Sequence, residues 1–127
     1  MSETKKRRKI KKSGEDYLEA ILISINRDGA CRVTDVAQQM GFTKASTSVA
    51  LKKLEENGCV ERDDWRVLLT DKGRAIAERI YEKHSFFQNW FMQIGVDEET
   101  AEEDACMIEH YLSDVTYEKM KAFINSL

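Results

Sequence analysis

The chain has 127 residues, enough for one modest domain or a small domain with an appendage. Apolar residues make up 42% and charged residues 34%, ordinary for a globular protein, and no stretch approaches the apolar length of a membrane span. The net charge of −3 hides an asymmetry: residues 1–12 hold seven Lys/Arg against one acid, leaving 13 bases against 22 acids in the rest.

The basic arm, Lys5 to Lys12, precedes no apolar segment and so is no secretory signal. It reads either as a nucleic-acid-binding arm or as a disordered, solubilising tail. Three cysteines, Cys31, Cys59 and Cys106, lack framework spacing and suit reduced thiols in a cytoplasmic setting. With no proline, turns rest on Gly, Asn and Asp.

Ser13 is placed to cap a first helix carrying Tyr17, Ile21, Leu22 and Ile25 at helical spacing and ending at Asp28-Gly29. Thr34 is placed to cap a short helix, Asp35 to Met40, stopped by Gly41. Thr43 caps a third, about Lys44 to Glu56, with Val49, Leu51 and Leu54 apolar. Cys59–Arg62 and Arg66–Leu69 read as strands joined by a turn at Asp63-Asp64-Trp65. Thr70-Asp71 then caps a long helix to about Ile94. The order helix, helix, helix, hairpin, helix is a winged helix-turn-helix. Two further helices follow, about Glu98 to Leu112 and Thr116 to Ser126. The expected fold is therefore mainly α: a winged helix-turn-helix DNA-binding domain over 13–75, then a helical metal-binding and dimerisation domain over 76–127.

The third helix opens Thr43-Lys44-Ala45-Ser46-Thr47-Ser48, a turn of small, hydroxylated residues free of acids. Short side chains permit close approach to a major groove, and hydroxyls and backbone amides suit phosphates or base edges. Lys52, with Arg62 and Arg66 at the wing, adds positive charge. In isolation this is an ordinary polar helix start; inside a winged helix it reads as a DNA-binding surface.

Between Asp97 and His110 stand seven acids and no Lys or Arg. Cys106, Glu109 and His110 are related as i, i+3 and i+4 on one helical face, with Glu102 a turn earlier. Thiolate, carboxylate and imidazole are transition-metal ligands. His84, on the long helix, is the only other histidine, and Asp16 and Glu19 pair as i, i+3 on the first helix. Each has a plainer explanation: acids complement helix starts, and a lone cysteine is often a small core hydrophobe.

Glu15-Asp16-Tyr17-Leu18-Glu19, Leu69-Thr70-Asp71-Lys72-Gly73, Ile94-Gly95-Val96-Asp97 and Cys106-Met107-Ile108-Glu109-His110-Tyr111-Leu112-Ser113 together resemble the iron- and manganese-dependent repressors of the diphtheria toxin repressor family. The resemblance is collinear over nearly all the chain after residue 13. It implies a homodimer on double-stranded operator DNA, with a divalent transition metal held by Asp16, Glu19, His84, Cys106, Glu109 and His110. Glu102 and Gln88 fall where the iron branch carries the histidine and glutamate of an ancillary site, which puts that site in doubt. Asp16 and Glu19 resemble the manganese branch and Cys106 the iron branch. The soft thiolate leans the expected cofactor to Fe²⁺, with Mn²⁺ close behind and Co²⁺, Ni²⁺ or Zn²⁺ as substitutes. The SH3-like third domain of the iron branch is expected to be absent.

The function expected is metal-dependent transcriptional regulation, with no membrane partner, no small-molecule substrate and no enzymatic role. The chain has no phosphate loop, nucleophile elbow or His-Glu-x-x-His helix. One alternative is a winged-helix regulator sensing oxidation at Cys106; another is a metal buffer or metalloenzyme. Tyr117, Met120, Phe123, Ile124 and Leu127, with Ile80, Phe87, Trp90 and Phe91, offer apolar area to a second copy or to the chain's own core.

Overall fold

The computed structural model describes residues 2–127, with side chains from Gly14 onward. Its elements run α1 (Ser2–Asp28), α2 (Val33–Met40), α3 (Lys44–Glu56), β1 (Val60–Asp63), β2 (Arg66–Leu69), α4 (Asp71–Gln93), α5 (Glu98–Ile108) and α6 (Asp114–Asn125). They form two compact units that divide after Arg79, inside α4.

Two helix starts differ from those expected. Helix α1 is bounded by Ser2 and Asp28, so Ser13 falls within it rather than at its N-cap. The Lys/Arg run has good helix propensity and no proline interrupts it. The side chains of the arm lie outside the described residues. Helix α2 starts at Val33, not after Thr34; its N-cap is Arg32, whose amide donates to Asp35 Oδ2 at 2.9 Å. An acid three residues into the helix therefore supplies the cap.

The first unit packs α1, α2 and α3 around Ile21, Val36 and Leu51, with Val60 and Val67 of the hairpin closing one side. Strands β1 and β2 are antiparallel with Asp63 opposite Arg66, so Asp64-Trp65 alone make the turn and Asp63 ends β1. Asp64 takes a left-handed conformation, φ +57, that a two-residue hairpin requires. Val67 donates to Cys31 O at 2.8 Å, pinning the wing to the loop after α1.

The second unit is built around Phe87, Ala105 and Tyr117, with Trp90, Phe91 and Met120 packed against them. Phe87 and Tyr117 are thus spent on the unit's own core, and Ile80 is buried too, so none of the three is presented to a second copy. Phe123 and Leu127 remain exposed. Lys83 crosses from α4 to the start of α6: its Nζ lies 3.2 Å from Leu112 O and 2.8 Å from Asp114 Oδ1. Among the described residues no helix is long and apolar enough to cross a membrane.

Candidate functional site

In the second unit, Phe87 anchors α4 through the aromatic core, and His84 lies one turn before it. On α5, Ala101 and Ala105 are fully buried, and Glu109 continues that stripe at i+4. Helix α5 ends at Ile108 rather than Leu112, with Glu109 as its C-cap. Ser113 opens α6 directly afterwards, its Oγ accepting from Thr116 N at 3.2 Å. The tight passage between the two helices carries His110 inward beside Glu109.

The Glu109 carboxylate is fully buried between two imidazoles. Its Oε2 lies 2.9 Å from His84 Nδ1, and its Oε1 lies 3.1 Å from His110 Nε2. Burial alone would push this carboxyl up; hydrogen bonding to His110 and His84, and their charge, hold it below its ordinary value. A dry carboxylate held ionised against two ring nitrogens is a borderline nitrogen-and-oxygen donor set that suits a divalent transition metal.

Cys106 and Glu102 are exposed on α5. The buried stripe runs through Ala101, Ala105 and Glu109, and Cys106 is rotated about 100° off Ala105. Cys31 and Cys59 are buried in the first unit, and burial pushes the Cys31 thiol up, away from reactivity. Nothing supports the alternative of redox sensing at Cys106. Asp16 and Glu19 are half-buried on α1 in the first unit, three residues apart and so on one face.

The candidate recognition surface is α3. Thr43 caps it, its Oγ1 accepting from Ser46 N at 3.1 Å. Lys44, Ala45, Ser46 and Lys52 are exposed and Ser48 is half-buried. Thr47 departs from expectation. It is fully buried, and its hydroxyl donates to Thr43 O at 2.8 Å, so it packs the helix onto the core rather than facing outward. Thr47→Val is accordingly expected to change DNA affinity by less than about twofold and stability by about 1 kcal/mol, as binding titration and thermal melting would measure; a tenfold loss of affinity would contradict the burial.

Val49, one of the three apolar residues that mark this helix in the sequence, is 61% exposed. The buried stripe is set by Thr47, Leu51 and Leu54, and position 49 lies opposite it, a pattern present in the helical spacing itself. At the wing, Arg62 and Arg66 are exposed, but Arg66 is paired with Asp63. Arg32, which no sequence motif singles out, sets its guanidinium 4.7 Å from the centre of the Trp65 ring. Only the hairpin register brings it there, through the bridge between Arg32 and Arg66.

Comparison with known proteins agrees with both units. Residues 9–66 match the family "Iron dependent repressor, N-terminal DNA binding domain", and residues 70–127 match "Iron dependent repressor, metal binding and dimerisation domain". The chain is 33% identical over 110 residues to the transcriptional regulator MntR of Escherichia coli O157:H7, covering 86% of this chain and 71% of that one. It is 34% identical over 113 residues to an uncharacterised HTH-type transcriptional regulator of Methanocaldococcus jannaschii, covering 87% and 90%. Among solved structures, the manganese regulator SloR superposes with a TM-score of 0.77 at 31% identity, over 88% of this chain and 53% of that one. The chain therefore spans about half the length of that structure. With both family domains matched in order across 9–66 and 70–127, the chain belongs to the iron- and manganese-dependent repressor family of metal-dependent transcriptional regulators.

Proposed function

We propose that the protein is a cytoplasmic, homodimeric repressor that binds double-stranded operator DNA when a divalent metal is bound to His84, Glu109 and His110, with Asp16 and Glu19 of α1 completing the ligand set. The observation that carries this reading is the buried Glu109 carboxylate bracketed by two imidazoles. Carboxylate oxygens suit Mn²⁺ and imidazole nitrogens suit Fe²⁺, so this donor set fits either ion. SloR, whose fold this chain shares, is itself a manganese regulator.

A bound divalent cation supplies positive charge that offsets the carboxylates. The chain's own residues convert that into regulation. Asp16 and Glu19 stand on the helix whose Leu18, Ile21 and Leu22 pack in one core with Leu51 and Leu54 of α3. Fixing α1 through its carboxylates therefore fixes the recognition helix of the same unit. In a two-fold dimer both recognition helices must meet half-sites at matched spacing, so restricting their pose raises operator affinity. The basic first turns of α1 continue the same helix and add to the attraction for phosphates.

The test is affinity for a selected duplex in saturating Mn²⁺ and in chelator, at fixed salt. Coupling of the usual size predicts an increase of about 5- to 150-fold with metal. Equal affinity in both conditions overturns the reading. Metal binding without salt-dependent DNA affinity would point to a buffer instead.

A further inference from the structure

Helix α3 buries Thr47, Leu51 and Leu54 against the first unit's core. At 100° per residue, the line directly opposite runs through Ala45, Val49, Lys52 and Glu56. Val49 is 61% exposed there, more than any other large apolar residue of the described first unit. A β-branched residue in mid-helix costs helix propensity relative to the alanine beside it. Single exposed apolar side chains are common and by themselves need no function. The surroundings of this one are specific. Ala45 lies one turn before it on the same line, and Ser46 and Ser48 flank it. All three are short, so the helix backbone can come close to a surface along this line. Lys52 and Lys53 follow one turn later, both exposed and long enough to reach past Val49 to charges on either side. The ridge therefore has an apolar, shallow centre and cationic flanks.

The DNA major groove offers the matching chemistry. Among the base edges displayed there, the one apolar group is the C5-methyl of thymine; all the others are hydrogen-bond donors or acceptors. Val49 has no polar atom with which to satisfy those. Placed over a donor or acceptor it would strip water without replacing it, which is unfavourable.

Resting on the DNA-binding reading above, we infer that Val49 is a specificity-determining residue that reads a thymine methyl in each half-site, with Ala45 allowing the approach. Serines 46 and 48 sit beside it where phosphate or sugar oxygens border the groove, and the two lysines hold the strand backbones.

The experiment uses the full chain with Mn²⁺. Duplexes are first enriched from a random pool. The best duplex is then resynthesised with each thymine replaced in turn by deoxyuridine, which removes only the methyl. Wild-type protein should lose about fourfold in affinity at one thymine per half-site, the value of one buried methyl, and about fifteenfold when both are replaced. Val49→Ala should bind the parent duplex more weakly by a similar factor and be indifferent to those replacements. Its melting temperature should match or exceed wild type, because the side chain is mostly exposed and alanine is the better helix former. Enrichment of a sequence whose deoxyuridine profile is flat, or is the same for wild type and Val49→Ala, overturns the inference and leaves the DNA-binding reading standing. A protein that enriches no sequence overturns both.

Discussion

Replacing Glu109 with glutamine is expected to weaken Mn²⁺ binding by about 100-fold or more and to erase the metal-dependent gain in DNA affinity. Losing even a group that only orients a ligand typically costs 10- to 100-fold, and Glu109 contributes the charged donor itself. Glutamine keeps the shape, so the fold should survive; it removes the one charge buried between His84 and His110. Titration calorimetry with Mn²⁺ and thermal melting in chelator separate the two effects. Unchanged Mn²⁺ affinity in a folded variant would place the metal elsewhere.

Acidification gives an independent check. Glu109 is held below its ordinary value, so the carboxylate remains ionised in mildly acidic solution. The stability it contributes is present above its unfolded value, near pH 4.3, and is lost as the pH falls through its depressed folded value. Metal affinity should fail earlier. Both imidazoles must give up protons to coordinate, so Mn²⁺ affinity is expected to drop as the pH falls. A binding curve flat from pH 7.5 to about 5.5 would argue against histidine ligands.

Gly73→Ala is expected to destabilise the first unit by about 2–3 kcal/mol, lowering its melting temperature by roughly 10–20 °C. A Cβ at position 73 would overlap the carbonyl oxygen of Cys59 and lie 2.9 Å from its carbonyl carbon. That backbone cannot give way cheaply. Cys59 N donates to Leu54 O at 2.9 Å, and its own carbonyl accepts from Thr70 N at 3.1 Å. The Thr70 hydroxyl holds Gly58 O at 2.6 Å and accepts from Gly73 N at 3.1 Å. The contact locks the start of α4 against the entry to the wing, so the same variant should also lose DNA affinity through a displaced hairpin. A melting temperature within about 3 °C of wild type would show that the junction relaxes, since that shift corresponds to well under 1 kcal/mol.

Much of this architecture is legible without coordinates because its signals are local. Thr43, Asp97 and Ser113 precede helices, and glycines follow α1 and α2. Thr43 and Asp97 read directly as caps. Ser113 does not, because Cys106–Leu112 looks like continuous helix and the break at Ile108 is made by packing. The start of α1 is obscured for the opposite reason: Ser13 has the chemistry of a cap, but a run of good helix formers simply carries the helix through it. At α2 an acid at the third helical position outcompetes a threonine, a choice between two short-range hydrogen bonds that composition cannot rank.

The metal centre divides the same way. The sequence alone determined the donor chemistry: two histidines, an acid-rich helix start, a cysteine, and an acid pair on the first helix, together with the collinear motifs that mark the family. It could not determine which donors are buried. Cys106, Glu109 and His110 look equivalent at i, i+3 and i+4, yet burial of Ala101 and Ala105 turns Glu109 inward and leaves Cys106 in solvent. Thr47 and Val49 show the same ambiguity: a hydroxyl expected on DNA is buried, and an apolar valine is exposed. Side-chain chemistry is written residue by residue. The rotation of a helix about its axis is set by the sum of its contacts, and one step of about 100° decides whether a donor meets a metal, a base edge or water.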